Sequence, residues 1–104
     1  MRRGEIWWAN LPPPMGRRPV VLLSREEAYH VRQFLIMSPV TSQERQLRTE
    51  VVLDEHDGLP HRSVVNLDVL VTQRKTHLDR RIGQVPDSKL NAIDEALRFA
   101  LGLA

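Results

Sequence analysis

The sequence predicts a mainly β domain closed by one C-terminal helix, a small and partly closed β-barrel. Three observations predict it. Five or more short apolar, β-branched runs are separated by turn residues. One amphipathic stripe with helical spacing stands at the C-terminal end. Strands and helices do not alternate along the chain, which argues against a doubly wound α/β arrangement.

The elements follow in order. Gly4 to Leu11 reads as a first strand, ended by Pro12-Pro13-Pro14-Met15-Gly16 because successive prolines cannot donate to a ladder. Pro19 to Ser24 is an apolar run of the length of a buried strand. Arg25 to Arg32 is polar, a loop or one helical turn. Phe34 to Val40 is the next strand, and Pro39 predicts an edge or a bulge near its end. The polar stretch Ser42 to Arg48 leads to a strand at Thr49 to Leu53, and Asp57-Gly58-Leu59-Pro60 is a turn signal. Ser63 to Val71 reads as one long strand and Ile82 to Val85 as a brief last one. Asp87 or Ser88 is the expected N-cap of the helix. Leu90, Ile93, Leu97 and Leu101, flanked by Ala96 and Ala100, form its core stripe, and Asn91, Asp94, Glu95 and Arg98 its other face.

A chain of 104 residues makes one domain, spanning 1–104. So short a chain buries a core with little to spare, which favours a homodimer. Fifteen basic and 13 acidic residues leave a formal charge of +2, but the distribution says more. Arg2-Arg3, Arg17-Arg18, Arg74-Lys75 and Arg80-Arg81 come in pairs, either as solvated charges or as contacts to a phosphate-bearing partner. The absence of cysteine excludes disulfides and thiolate metal sites. The four histidines are scattered, so neither metal nor cofactor is expected. No apolar run approaches the roughly 18 residues of a membrane span. The start Met1-Arg2-Arg3-Gly4-Glu5 lacks the apolar stretch of a signal peptide, and the expected location is the cytoplasm.

No glycine-rich phosphate loop, Gly-x-Ser-x-Gly elbow or His-Glu-x-x-His is present. The candidates are less specific constellations. Arg17-Arg18-Pro19 opens an apolar strand. A guanidinium held there by a rigid proline is either an exposed strand-end charge or a pre-placed bidentate donor for phosphate. Ser38-Pro39-Val40-Thr41-Ser42 puts hydroxyls at the polar end of another strand, where they cap backbone groups or bond a phosphate. His56 and His61 flank a turn and are either surface residues or an acid–base pair. Trp7 and Trp8 point to opposite faces, one to a core or dimer interface and the other free to stack on a base.

Arg3-Gly4-Glu5-Ile6-Trp7-Trp8, Gly16-Arg17-Arg18-Pro19-Val20-Val21-Leu22, Pro39-Val40-Thr41-Ser42, Gly58-Leu59-Pro60 with Ser63-Val64-Val65, and Asp94 to Gly102 follow one another in an order that resembles the MazF/PemK family. The resemblance runs from about Arg3 to Gly102. It implies an SH3-like or CcdB-like barrel, a homodimer, and the toxin of a type II toxin–antitoxin pair. It further implies metal-independent, sequence-specific cleavage of single-stranded RNA by attack of the 2′-hydroxyl, with 2′,3′-cyclic phosphate and 5′-hydroxyl products, held in check by a cognate antitoxin protein. Arg18 and Thr41 fall on the family's catalytic arginine and threonine. Arg3, Trp8, Arg17, Ser42 and Gln43 fall on or near its RNA-facing surface. Two alternatives stand beside this reading: a gyrase-binding toxin on the same barrel, and a non-catalytic SH3-like interaction module. Two departures are visible. Only Pro12 to Arg17 join the first strands, where the family often has a longer loop with Gly-Ser-Glu-Gln. Asp68-Val69-Leu70-Val71-Thr72 stands where many members have Asp-Gln-Ile-Arg-Thr, so two polar side chains of that segment are valines here.

Overall fold

A computed structural model describes residues 1–104. Seven strands form one antiparallel sheet: β1 (Glu5–Asn10), β2 (Arg17–Leu22), β3 (Phe34–Thr41), β4 (Glu50–Leu53), β5 (Ser63–Asn66), β6 (Val71–Arg74) and β7 (Leu78–Gln84). A single-turn helix α1 (Ala28–Val31) joins β2 to β3, and α2 (Asp87–Leu101) ends the chain. The strand order is β4-β5-β3-β2-β1-β7, with β6 also on β3. Register shifts on β7 opposite Ile6/Trp7 and Trp8/Ala9 mark irregularities of the bulge type, which bend and twist a strand. The sheet curls into a half-barrel. No helix is long and apolar enough to cross a membrane.

Alternation along the strands divides the buried side chains into two clusters. Ile6, Val21, Val40, Val65 and Leu67 pack with Ile93 and Ala96 of α2. Ala9, Val20, Leu22, Leu35 and Met37 face the other way and pack with Ala28 and Tyr29 around α1. Tyr29 donates its hydroxyl to the Ser24 carbonyl at 2.9 Å. Burial, reinforced by Glu26, pushes its phenol above the ordinary tyrosine range and keeps it neutral.

Strand β3 is the hub, and Pro39 lies inside it rather than at an edge. On one side β3 pairs with β2. On the other, Phe34 to Met37 pair with β6 and Val40 to Thr41 with β5. Ser38 and Pro39 fall in the seam between those two partners. Leu23 N–H bonds Ile36 O, so by antiparallel alternation Val20↔Pro39 is a non-bonded pair. The N–H that Pro39 lacks would therefore have pointed into the seam, where no ladder bond is lost. The Ser38 hydroxyl bridges that seam, with the Asn66 and Val69 carbonyls at 3.0 and 2.8 Å.

Four other expectations are corrected. The long strand at Ser63 to Val71 is two strands, because the Asn66 side chain accepts from Asp68 N–H at 3.0 Å and Val69 N–H closes a turn on Asn66 O. The last strand is longer than Ile82 to Val85, running over Leu78–Gln84; Asp79, Arg80 and Arg81 are tolerated because β7 is an edge strand. Helix α2 has Pro86 at its N-cap with no side-chain cap, and Asp87 lies within the first turn, where a carboxylate favours the helix dipole. Ile93 and Ala96 carry the buried stripe, whereas Leu101 is exposed near the end of the helix.

The turn after β4 locks the start of α2. Asp54 and Asp57 form a capping box around a short 3₁₀ turn, and Lys89 of α2 donates to Asp57 Oδ2. Gly58, at φ 105°, and Gly83 of β7 meet backbone to backbone, so a Cβ on either would collide with the other segment.

Candidate active site

Arg18 and Thr41 meet at one end of the sheet. Antiparallel β2 and β3 are in the register Val20↔Pro39, Val21↔Ser38 and Leu22↔Met37. Two residues further, the same register sets Arg18 opposite Thr41, on the face that carries Val20 and Met37. Both line a cleft of about 270 Å³ with Met15, Pro39, Gln43, Arg45, Glu50, Asn66 and Val69.

Each side chain is placed by its local chain. The short β1–β2 turn closes with Leu11 N–H on Gly16 O at 3.1 Å, and Gly16 takes φ 65°. That turn presents the Met15 carbonyl to Arg18 Nε at 2.9 Å, which leaves the Nη end of the guanidinium for a ligand. Thr41 Oγ1 accepts from Gln43 N–H at 3.2 Å, so its own O–H proton is available to a phosphate oxygen. The loop after β3 folds around Glu50, whose carboxylate accepts from Arg45 N–H and Leu47 N–H at 3.0 and 3.1 Å. Asn66 Oδ1 accepts from the Thr49 hydroxyl at 2.8 Å and fixes the turn that carries Val69 to the rim. Two guanidiniums and one carboxylate thus line the cleft, and the carboxylate is occupied by backbone N–H groups. Such a site suits an anion that needs bidentate donors and a hydroxyl.

Of the remaining candidates, only Gln43 lines this cleft. Arg3 does not: its guanidinium donates to the Leu23 carbonyl at 3.0 Å and to Asp94 of α2 at 2.8 Å. Arg17 and Trp8 occupy the opposite face of the sheet, since Arg17 pairs with Asn10 and Trp8 with Pro19. There Arg17 sits 5.1 Å from the Trp8 ring and 2.6 Å from Asp79. Trp7 packs partly against the cluster around α1 and bonds Glu5. Ser42 is exposed and outside the cleft lining. His56 and His61 are exposed and also lie outside it, His56 beside Asp54 at 3.4 Å. Of the two valines that depart from the family pattern, Val69 lines the cleft, while Val71 packs against the core.

The sequence reading missed Arg45, Glu50 and Asn66. Arg45 lies in a polar connection with no motif, and Glu50 lies near the start of a strand with no pattern to single it out. Asn66 carried the only local signal, an amide interrupting a β-branched run.

Residues 2–101 match the PemK-like, MazF-like toxins of type II toxin–antitoxin systems. The chain belongs to this family. A relative in Mycobacterium tuberculosis described as probable endoribonuclease MazF5 is 40% identical over 100 residues, covering 95% of this chain and 91% of the relative. Endoribonuclease EndoA of Bacillus subtilis is 28% identical, covering 99% and 96%. Among solved structures, the Mycobacterium tuberculosis toxin MazF-mt6 superposes with a TM-score of 0.89 at 34% identity, covering 96% of this chain and 98% of that one. A mycobacterial endoribonuclease solved with its cognate antitoxin gives 0.90 at 27% identity, covering 100% and 97%. Family membership thus joins a fold whose cleft already gathers Arg18 and Thr41.

Proposed function

We propose that this chain is the toxin of a type II toxin–antitoxin pair and a sequence-specific endoribonuclease that cleaves single-stranded RNA without a metal. The observation that carries the reading is the convergence of Arg18 and Thr41 in one anion-suited cleft of a family member. RNA brings its own nucleophile, so the protein must align the 2′-oxygen with phosphorus and stabilise charge on the phosphate. In this reading Arg18 holds a non-bridging oxygen and donates toward the leaving 5′-oxygen, while the Thr41 hydroxyl donates to the same phosphate. The 2′-oxygen–phosphorus bond forms as the phosphorus–5′-oxygen bond breaks. The 2′-hydroxyl gives up its proton and the 5′-oxygen gains one, leaving a 2′,3′-cyclic phosphate and a 5′-hydroxyl.

A cognate antitoxin is the expected protein partner, as in the mycobacterial complex. A homodimer acting in the cytoplasm belongs to the same proposal. Val31, Phe34 and Ile36, exposed by 68%, 48% and 45% around the start of β3, offer apolar surface to a second copy. The gyrase-binding and non-catalytic readings are less favoured, because the named relatives are endoribonucleases.

The test is incubation of the purified protein with mixed single-stranded RNA in excess EDTA. Discrete fragments with 5′-hydroxyl ends are expected from the wild type and not from Arg18→Ala or Thr41→Ala. RNA left intact by a folded wild-type protein would overturn the reading.

A further inference from the structure

Six arginines in this fold are matched by acids: Arg3 by Asp94, Arg17 by Asp79, Arg25 by Glu27, Arg62 by Glu44, Arg81 by Glu5 and Arg98 by Glu95. Arg45 is not. It lines the cleft beside Glu50, yet the carboxylate takes the Arg45 backbone N–H, at 3.0 and 3.2 Å, and leaves the guanidinium alone. The guanidinium instead donates to the neutral Gln43 amide oxygen at 3.3 Å. Its charge is unspent.

The same contacts form a string that ends at the reaction centre. Glu50 holds Arg45 N–H, Arg45 Nη2 holds the Gln43 side chain, and Gln43 N–H holds Thr41 Oγ1. Glu50 also takes Leu47 N–H, and its own N–H returns to Leu47 O, closing the loop. Between them Gln46 adopts φ 56°, the one non-glycine residue of the chain in the left-handed region. A residue other than glycine stays there only where surrounding contacts impose it, and the Glu50 carboxylate supplies those contacts on either side.

A ribose–phosphate strand lying in this cleft brings more than one charged phosphate. With Arg18 assigned to the scissile group, Arg45 is the only other cation of the lining. We propose that Arg45 binds a phosphate flanking the scissile one, and that Glu50 is the positioning residue that holds Arg45 over the cleft. This rests on reading the cleft as an RNA-cleaving site.

The test measures binding of a short, mixed-sequence single-stranded RNA whose riboses are 2′-O-methylated, so that the nucleophile is blocked, across a range of salt. Cleavage of ordinary RNA by the same proteins supplies kcat and KM. Arg45→Ala is expected to weaken binding about tenfold and to lower the slope of log affinity against log salt by about 0.7. In cleavage the loss should appear in KM, with kcat held within about twofold. Glu50→Ala should reproduce the loss, and the double variant should be no weaker than either single one. Glu50→Gln retains an oxygen acceptor for the loop and should restore most of the affinity, which also guards against misfolding of Glu50→Ala.

Wild-type affinity and salt slope in Arg45→Ala would overturn the proposal. So would additive losses in the double variant, or a Glu50→Gln enzyme that binds normally but loses kcat and the acidic limb of its pH profile, which would make Glu50 a general base. Binding that depends on Arg45 while ordinary RNA stays intact would sink the ribonuclease reading and leave Arg45 as an RNA-phosphate contact with no scissile group beside it.

Discussion

Arg18 is held by its own turn: its Nε donates to the Met15 carbonyl at 2.9 Å, so the guanidinium is oriented before substrate arrives. A pre-oriented donor loses little freedom when it engages phosphate. Arg18→Ala should therefore lower kcat by about 10²- to 10³-fold. Arg18→Lys should recover little, since an ammonium cannot both bond Met15 O and present a bidentate fork. Single-turnover RNA cleavage by each variant measures both effects.

Thr41 contributes a hydroxyl, and its backbone already belongs to β3 beside Val64 of β5. Thr41→Ser should keep cleavage within roughly tenfold of the wild type, whereas Thr41→Ala should approach the Arg18→Ala level. Equal losses in Ser and Ala would assign Thr41 to packing instead.

Arg17 lies beside Arg18 in sequence but on the other face of β2, paired with Asp79. Arg17→Ala should leave kcat unchanged within about twofold and cost at most about 1 kcal/mol of stability, as for other exposed ion pairs. A loss of kcat comparable to that of Arg18→Ala would contradict this placement.

Val69 gives the cleft an apolar wall where an adjacent base has nothing to bond. Val69→Asn should narrow the set of sites cut in a mixed RNA without abolishing cleavage, because a wall that hydrogen-bonds discriminates where an apolar one does not. Mapping of fragment ends is the measurement.

Gly83→Ala would drive a methyl group into the Asp57 carbonyl and should cost roughly 2–5 kcal/mol. In a chain this short that lowers Tm by on the order of 10 °C or more. Calorimetry checks it, and an unchanged Tm would show that the two backbones separate readily.

Asp54 contributes to stability on the acid side. Desolvation, the largest single influence, raises its pKa, but the His56 N–H, the Lys89 charge and the His56 ring together outweigh it, so the carboxyl lies below its ordinary 3.8. A group more acidic in the folded than in the unfolded chain stabilises the fold above the unfolded value and loses that contribution as pH falls through the folded one. Asp54→Asn should flatten the decline in stability below about pH 4, measured by urea unfolding across pH. An equally steep decline in the variant would assign the acid sensitivity elsewhere.

Much of the fold was legible because the first strands and the helix declare themselves by period. Strand β7 was not, since Asp79-Arg80-Arg81 writes an edge strand in the vocabulary of a loop. The division at Asn66 depends on a side chain folding back on its own turn, which the β-branched residues around it masked. In the site, Arg18 and Thr41 stood out through the family resemblance, since each by itself is an ambiguous strand-end residue. Adjacent residues on a strand take opposite faces, and that separates Arg17 from Arg18. Arg45 and Glu50 became visible only once the loop was folded, because their relation is a backbone hydrogen bond that no spacing rule encodes.

The pairing of β2 with β3 has a last consequence. A slip of one residue would send each β3 side chain to the other of the two buried clusters and is heavily penalised, but a slip of two keeps every side chain on its own face. Such a slip would carry Thr41 about 7 Å along the strand from Arg18 while leaving the hydrophobic pattern satisfied. What opposes it is polar: the Ser38 hydroxyl reaching two carbonyls across the seam, and the proline that fits only where β3 changes partners. The reaction centre therefore works as a gauge of strand alignment. Substitutions at Ser38, which does not itself line the cleft, would then be felt as loss of cleavage in a protein that still folds.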